Sequence, residues 1–186
     1  MRWIYLFALV LGLASCKDED LFTKNFELTD GQHLTLDSAL QENDFTVLIF
    51  VSPECPLCQN YSVTFSEIIE EYNAEGIRFY GVLSGKYYTG EEMNEFLRKY
   101  DLTLPVIVDP KFSLANHYEA TITPEVVLVN NSGEELYQGA IDNWAISLGQ
   151  KRIKTTEFYL KDALTASLVG TEISPSQTKP VGCYIE

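Results

Sequence analysis

"FTVLIFVSPECPLCQNY" (residues 45–61) decides the fold: an unbroken apolar run, a short break, then two cysteines at the start of a helical pattern. A strand buried on both faces reads as a continuous β-rich run instead of an alternation, so 45–51 is predicted to be a central strand. From Pro56 onward Leu57, Tyr61, Phe65, Ile68, Ile69 and Tyr72 recur at helical spacing. Gln59, Asn60, Ser66, Glu67, Glu70 and Glu71 fill the other face. Pro56 suits the first helical position, which sets Cys55 just before the first turn. Unpaired backbone N–H groups and the helix dipole favour negative charge there, and the thiolate is the reactive form of cysteine. Cys58, about one turn on, is placed to attack a mixed disulfide held on Cys55. The spacing thus predicts a working dithiol, with Cys55 exchanging with a substrate and Cys58 resolving the intermediate.

Outward from this unit the pattern alternates. "FELTDGQHLTL" reads as a hairpin about Asp30-Gly31, and "IRFYGVL" (77–83) as a second buried strand. Thr89 and Glu92 form a capping-box pattern ahead of Met93, Phe96, Leu97 and Tyr100, a second helix. "LPVIVD" suggests a short strand, "SLANHYEA" a short helix, and "PEVVLVNNSGEELYQGAI" a hairpin across an Asn-Ser-Gly turn. Leu160, Ala163, Leu164, Ser167 and Leu168 make a last helix ending at Gly170. The tail 171–186 has no apolar period and is expected to be extended or mobile. The whole argues for an α/β fold, a central mixed sheet flanked by helices.

The 186 residues suit one domain with terminal extensions, and 46% hydrophobic content is enough for a core. A net charge of −14 excludes nucleic-acid binding through phosphates and adsorption to an anionic membrane face. "MRWIYLFALVLGLASC" carries Arg2 and an apolar stretch, Trp3 to Ala14, too short to span a bilayer but placed as a secretory signal is. Its "LASC" end resembles the lipobox of bacterial lipoproteins. That likeness implies a signal peptide over 1–15, a lipidated Cys16 as membrane anchor, and a tether over 16–25. The other reading is a plain signal peptide cleaved near Ala14, with Cys16 incidental. "KDED" after the cysteine resembles export signals to the outer surface in some Gram-negative lineages, or is simply a solvated tether. The compartment so implied, the bacterial cell envelope, permits disulfides. Besides Cys16 there remain Cys55, Cys58 and Cys183, and three thiols cannot all pair within one chain.

Strand, C-x-x-C and helix in this order resemble the thioredoxin-like superfamily over most of residues 26–170. The resemblance implies a cis-proline opposite the dithiol. Pro124 in "TITPEVVLV" fits, with Thr123 offering its backbone to an extended substrate; the plain alternative is a trans proline opening a strand. "ECPLCQNY", "TPEVVLVNNSGEELYQGAIDN", "YLKDALTASLVG" and "GCYIE" look like segments of redoxin-domain proteins of the alkyl hydroperoxide reductase/thiol-specific antioxidant group. In such a subgroup Cys183 becomes a second candidate resolving thiol, the other reading being a free thiol or one paired with another chain. The resemblance implies an envelope thiol–disulfide oxidoreductase acting on protein thiols and disulfides, with a further thiol redox partner and no cofactor.

Two other activities compete. A thiol peroxidase needs a proline and a hydroxyl upstream of its cysteine and an arginine beside it. Ser52 supplies the hydroxyl, Leu48 stands in the proline position, and Arg78, Arg98 and Arg152 are candidates by count alone. A copper-delivery module on the same fold would pair the cysteines with a distant histidine such as His117, but spaces its cysteines three apart. His117 and His33 otherwise read as surface residues, and with Cys183 they are too scattered for a zinc site. Between the cysteines lie uncharged Pro56 and Leu57. Glu54 opposes ionisation, and Ile49 stands where thioredoxin carries a buried acid. These features favour a reductant or exchanger of moderate potential over a strong oxidant.

Overall fold

The computed structural model describes residues 20–186; Cys16 and the expected signal peptide lie outside them. In chain order the elements are β1 (Asn25–Glu27), β2 (His33–Thr35), α1 (Leu36–Gln41), β3 (Phe45–Phe50), α2 (Pro56–Tyr72) and β4 (Ile77–Ser84). Then follow α3 (Gly90–Lys99), β5 (Val106–Asp109), α4 (Ser113–His117), β6 (Ile122–Thr123), β7 (Glu125–Asn130) and β8 (Glu135–Gly139). The chain closes with β9 (Ala145–Ser147), β10 (Gln150–Lys151), α5 (Tyr159–Val169) and β11 (Cys183–Tyr184).

Five strands form the central sheet in the order β5-β4-β3-β7-β8. β3 runs parallel to β4 and β4 to β5, whereas β7 is antiparallel to both β3 and β8, so the sheet is mixed as expected. β3 is central, and its continuous apolar run is explained by burial on both faces. Val47, Ile49 and Val51 join Phe65, Ile68 and Leu164 in one core. Leu48 and Phe50 join Leu36, Leu114 and Val127 in the other. α2 turns Leu57, Cys58, Tyr61, Phe65, Ile68 and Tyr72 inward, while Glu70 and Glu71 stay on its outer side. α3 starts on the full Thr89–Glu92 capping box, which satisfies two otherwise unpaired N–H groups.

Both ends of the domain are held in place by the rest of it. Leu21 and Phe22, within the expected tether, pack on the second core, and the Phe22 carbonyl accepts the Asp37 N–H at 2.8 Å. The tail is extended, but it is not free. Gln138 donates its N–H to Ser176 and accepts from Thr178, both at 3.0 Å, and the Thr178 hydroxyl lies 2.6 Å from that of Tyr137. Further on, β11 pairs antiparallel with β6, and Ile185 N–H donates to the Thr121 carbonyl at 3.0 Å. Backbone pairing of this kind needs no apolar period, which is why the sequence pattern reads as mobile.

Candidate active site

Cys55 ends the loop leaving β3 and caps α2, and its carbonyl accepts the Gln59 N–H at 3.1 Å. Pro56 takes the first helical position without sacrificing a hydrogen bond. Cys55 is 2% exposed and Cys58 fully buried, and neither forms a disulfide. The peptide between Thr123 and Pro124 is cis. The Thr123 carbonyl lies 3.0 Å from Cys55 Sγ, a contact only the protonated thiol can donate. The β6–β11 ladder sets Cys183 opposite Thr123 and Tyr184 opposite Ile122. Cys58 follows in the first turn of α2, and Cys183 lines one pocket with Cys55 and Thr123. Three cysteines, from the start of α2 and from the tail, thus gather beside β6.

Their surroundings separate their acidities. The Cys58 thiol is the largest influence on Cys55 and holds it well below the ordinary cysteine range. Burial pushes the other way, and the Cys183 thiol, the Cys58 backbone and the Thr123 side chain, as distinct from its carbonyl, add smaller downward pulls. Complete burial raises Cys58, and its hydrogen bond to Cys55 and the charge there raise it further. Cys183 is raised too, by burial first and then by Cys55. The result is one readily ionised thiol between two protonated neighbours.

A pocket of about 190 Å³ opens beside Cys55, lined by Ser52, Glu54, Ser84, Thr123 and Cys183 among others. Glu54 is exposed, 3.5 Å from the Tyr88 hydroxyl. Ile49 is 1% exposed in the same core as both α2 cysteines, so an apolar side chain holds the place of a buried acid. On the far side of α2's first turns the buried Tyr61 hydroxyl donates to Asp142 Oδ1 at 2.6 Å, and Asp142 also accepts Trp144 N–H at 2.8 Å. Burial pushes the Tyr61 phenol well up, with Asp142 adding to it.

Several sequence candidates lie elsewhere. Leu48 is buried in the core on the other sheet face. Arg78 donates to Asn73 and Arg152 to the Asn143 carbonyl, and among the described residues no arginine lines the pocket beside Cys55. His117 ends α4, exposed and edge-on to the Phe22 and Tyr118 rings, away from the dithiol. Among the described residues no group of three or more His, Cys, Asp or Glu is arranged to hold a metal. The sequence reading missed Tyr61 with Asp142, and it missed Gly182, whose only signal is a glycine directly before a cysteine.

The family model described as the AhpC/TSA family matches residues 22–136. A thioredoxin-like protein of Haemophilus influenzae is 26% identical over 132 residues, 69% of this chain and 72% of its own length. The thiol-disulfide oxidoreductase ResA of Halalkalibacterium halodurans is 23% identical over 110 residues, 59% of this chain, which spans 61% of that relative. A solved structure of a hypothetical protein from Sinorhizobium meliloti matches with a TM-score of 0.76 at 22% identity, covering 87% of this chain and 89% of that one. The fold is thioredoxin-like α/β, with the mixed five-stranded sheet at its centre.

Proposed function

The chain belongs to the AhpC/TSA family, and from that premise we propose that it is an envelope thiol–disulfide oxidoreductase with Cys55 as nucleophile and Cys58 as resolving thiol. The observation that carries this reading is the position of Cys55 at the N-terminus of α2, against the cis Thr123–Pro124 peptide and with Cys58 in the first turn, where the Cys55 thiol is held low. The name of the Halalkalibacterium relative agrees with it. The Cys55 thiolate attacks one sulfur of a substrate disulfide, and the second substrate sulfur leaves as a thiolate that takes up a proton. While Cys55 is charged, Cys58 is kept protonated. Once Cys55 is in the mixed disulfide its charge is gone and Cys58 ionises more easily. Cys58 then attacks Cys55 Sγ, releases the substrate's first sulfur as a thiol, and leaves a Cys55–Cys58 disulfide. A partner dithiol must reduce that bond to complete the cycle.

Cys183 is a further candidate resolving thiol in this reading, supported by its pairing opposite Thr123 and by its being kept protonated. Thr123 and Pro124 form the docking edge that the resemblance implies for an extended substrate. Uncharged Pro56 and Leu57, buried Ile49 and the neighbouring Glu54 favour a reductant or exchanger of moderate potential. The absence of an arginine from the pocket lining favours disulfide exchange over hydroperoxide reduction. Attachment to the membrane is assigned to a lipid on Cys16.

The test is capture: Cys58→Ser should accumulate mixed disulfides on Cys55 in envelope extracts, and Cys55→Ser should abolish opening of a model disulfide. Unchanged disulfide opening in Cys55→Ser would overturn the reading.

A further inference from the structure

The edge of β6 next to Pro124 is not vacant in this fold. β11 already pairs with it, and the pairing has the form of an extended cysteine-bearing peptide bound there: Cys183 opposite Thr123, lining one pocket with Cys55. The flanking residues seat this segment on both cores. Val181 packs on the core that holds Cys55, and Ile185 on the core of the opposite sheet face. Tyr184 between them is 78% exposed and makes no demand on the site.

Gly182 makes the sharpest demand. A Cβ built on it would stand 2.0 Å from the Thr123 carbonyl oxygen and 2.6 Å from Ile122 Cγ2. The first contact is to backbone, which cannot swing aside as a side chain would. No other residue type fits at this position without lifting the strand from β6. The same approach recurs further along, where a Cβ on Gly85 would lie 2.1 Å from the Glu186 main-chain oxygen.

We propose that residues 181–185 are a resident substrate mimic, and that β6 accepts extended segments of the pattern apolar–Gly–Cys–any–apolar, which must displace it. The proposal rests on the thiol-exchange reading above and adds to it the class of peptide the site takes and the residue that selects it. A partner segment so docked presents its cysteine sulfur where Cys183 now stands. The Cys55 thiolate attacks that sulfur, the disulfide it carried breaks, and its former partner leaves as a thiolate. Cys58 then releases the peptide as a free thiol, and the two electrons come from the Cys55–Cys58 dithiol.

The test uses the reduced full chain and two pentapeptides, Val-Gly-Cys-Tyr-Ile and Val-Leu-Cys-Tyr-Ile, each as the mixed disulfide with 5-thio-2-nitrobenzoate. Release of the coloured thiolate gives the rate, and each rate is divided by that with free glutathione to remove intrinsic reactivity. The glycine peptide should react about tenfold or more faster than the leucine peptide, the scale expected of a steric misfit. In Gly182→Leu, whose own strand no longer seats, the rate with the glycine peptide should rise by about the same factor, and hydrogen exchange at the Ile185 amide should speed up. Equal normalised rates for the two peptides on the unmodified chain overturn the proposal, whether or not the variant folds. A small disulfide, 5,5′-dithiobis(2-nitrobenzoate), separates the two readings. If it reacts through Cys55 while the peptides do not differ, only the mimic is wrong. If Cys55→Ser opens it at the same rate, the exchange reading itself fails.

Discussion

Replacing Cys58 by alanine should raise the pH at which Cys55 becomes reactive. The Cys58 thiol is the largest of the influences holding the Cys55 thiolate. A hydrogen bond to a charged partner contributes about 1.5–3 kcal/mol. One pKa unit corresponds to about 1.4 kcal/mol, so loss of the donor should move the Cys55 midpoint up by about one to two units. It should not return fully to the ordinary cysteine value of about 8.5, because the α2 N-terminus stays in place. Two companion variants make the argument specific. Cys58→Ser keeps a donor at the same position, so its midpoint should stay within about half a unit of the parent. Cys183→Ala removes a weaker donor and should shift the midpoint upward by less than Cys58→Ala does. The assay is the rate of iodoacetamide alkylation against pH, with peptide masses assigning the label to Cys55. If alanine does not move the midpoint, the Cys58 thiol is irrelevant and the helix terminus alone holds the thiolate; if serine moves as far as alanine, hydrogen-bond donation is not how Cys58 acts.

The same lowered thiol links stability to pH. Between the folded Cys55 midpoint and the ordinary cysteine range the unfolded chain holds a proton that the folded one has lost, so the reduced protein should gain stability as pH rises there. That contribution should vanish as pH falls through the folded midpoint, and urea unfolding of the parent minus Cys55→Ser should show the slope. Tyr61→Phe removes the 2.6 Å bond to Asp142 and leaves that carboxylate with Trp144 N–H; a loss of about 1.5–3 kcal/mol is expected, seen as a lower urea midpoint at unchanged slope. Thr178→Val removes a hydroxyl bonded to Tyr137 and to Ala140 N–H at 2.9 Å. It should cost about 1–3 kcal/mol and speed amide exchange in the tail more than in β3 or β7.

The strand–dithiol–helix unit is legible in the sequence because burial forces its composition. β3 must be apolar on both faces, and α2 must repeat apolar residues at helical spacing to cover it. Thr89 with Glu92 and the closing Gly170 announce helix ends by local chemistry in the same way. What the sequence hides is made of backbone. β6 and β11 are two residues each, too short to carry a period, and their pairing is between main chains. The tail's polar composition resembles a mobile segment, yet it is held by single contacts such as Thr178 on Tyr137. Gly182 is invisible for a related reason: its role is the side chain it lacks, and the atom that excludes a Cβ lies 59 positions away, on Thr123. Tyr61 is read correctly as a core residue, but its bond to Asp142 joins residues 81 positions apart and leaves no local trace.

Cys55, only 2% exposed, cannot meet a protein disulfide unless something moves. β3 and α2 cannot move cheaply, since Ile49, Phe65 and Ile68 are locked in one continuous core. β11 can, because it is two residues long and has its exposed Tyr184 at the surface. Lifting it opens the pocket. Departure of the Cys183 thiol removes one of the influences that depress Cys55, while the water that enters relieves the burial that raises it, the larger of the two. The uncovered sulfur therefore stays ionised through Cys58 and the α2 terminus, and what the strand controls is access. Covered, the site holds an ionised sulfur beneath a protonated thiol; uncovered, it presents that sulfur to a substrate.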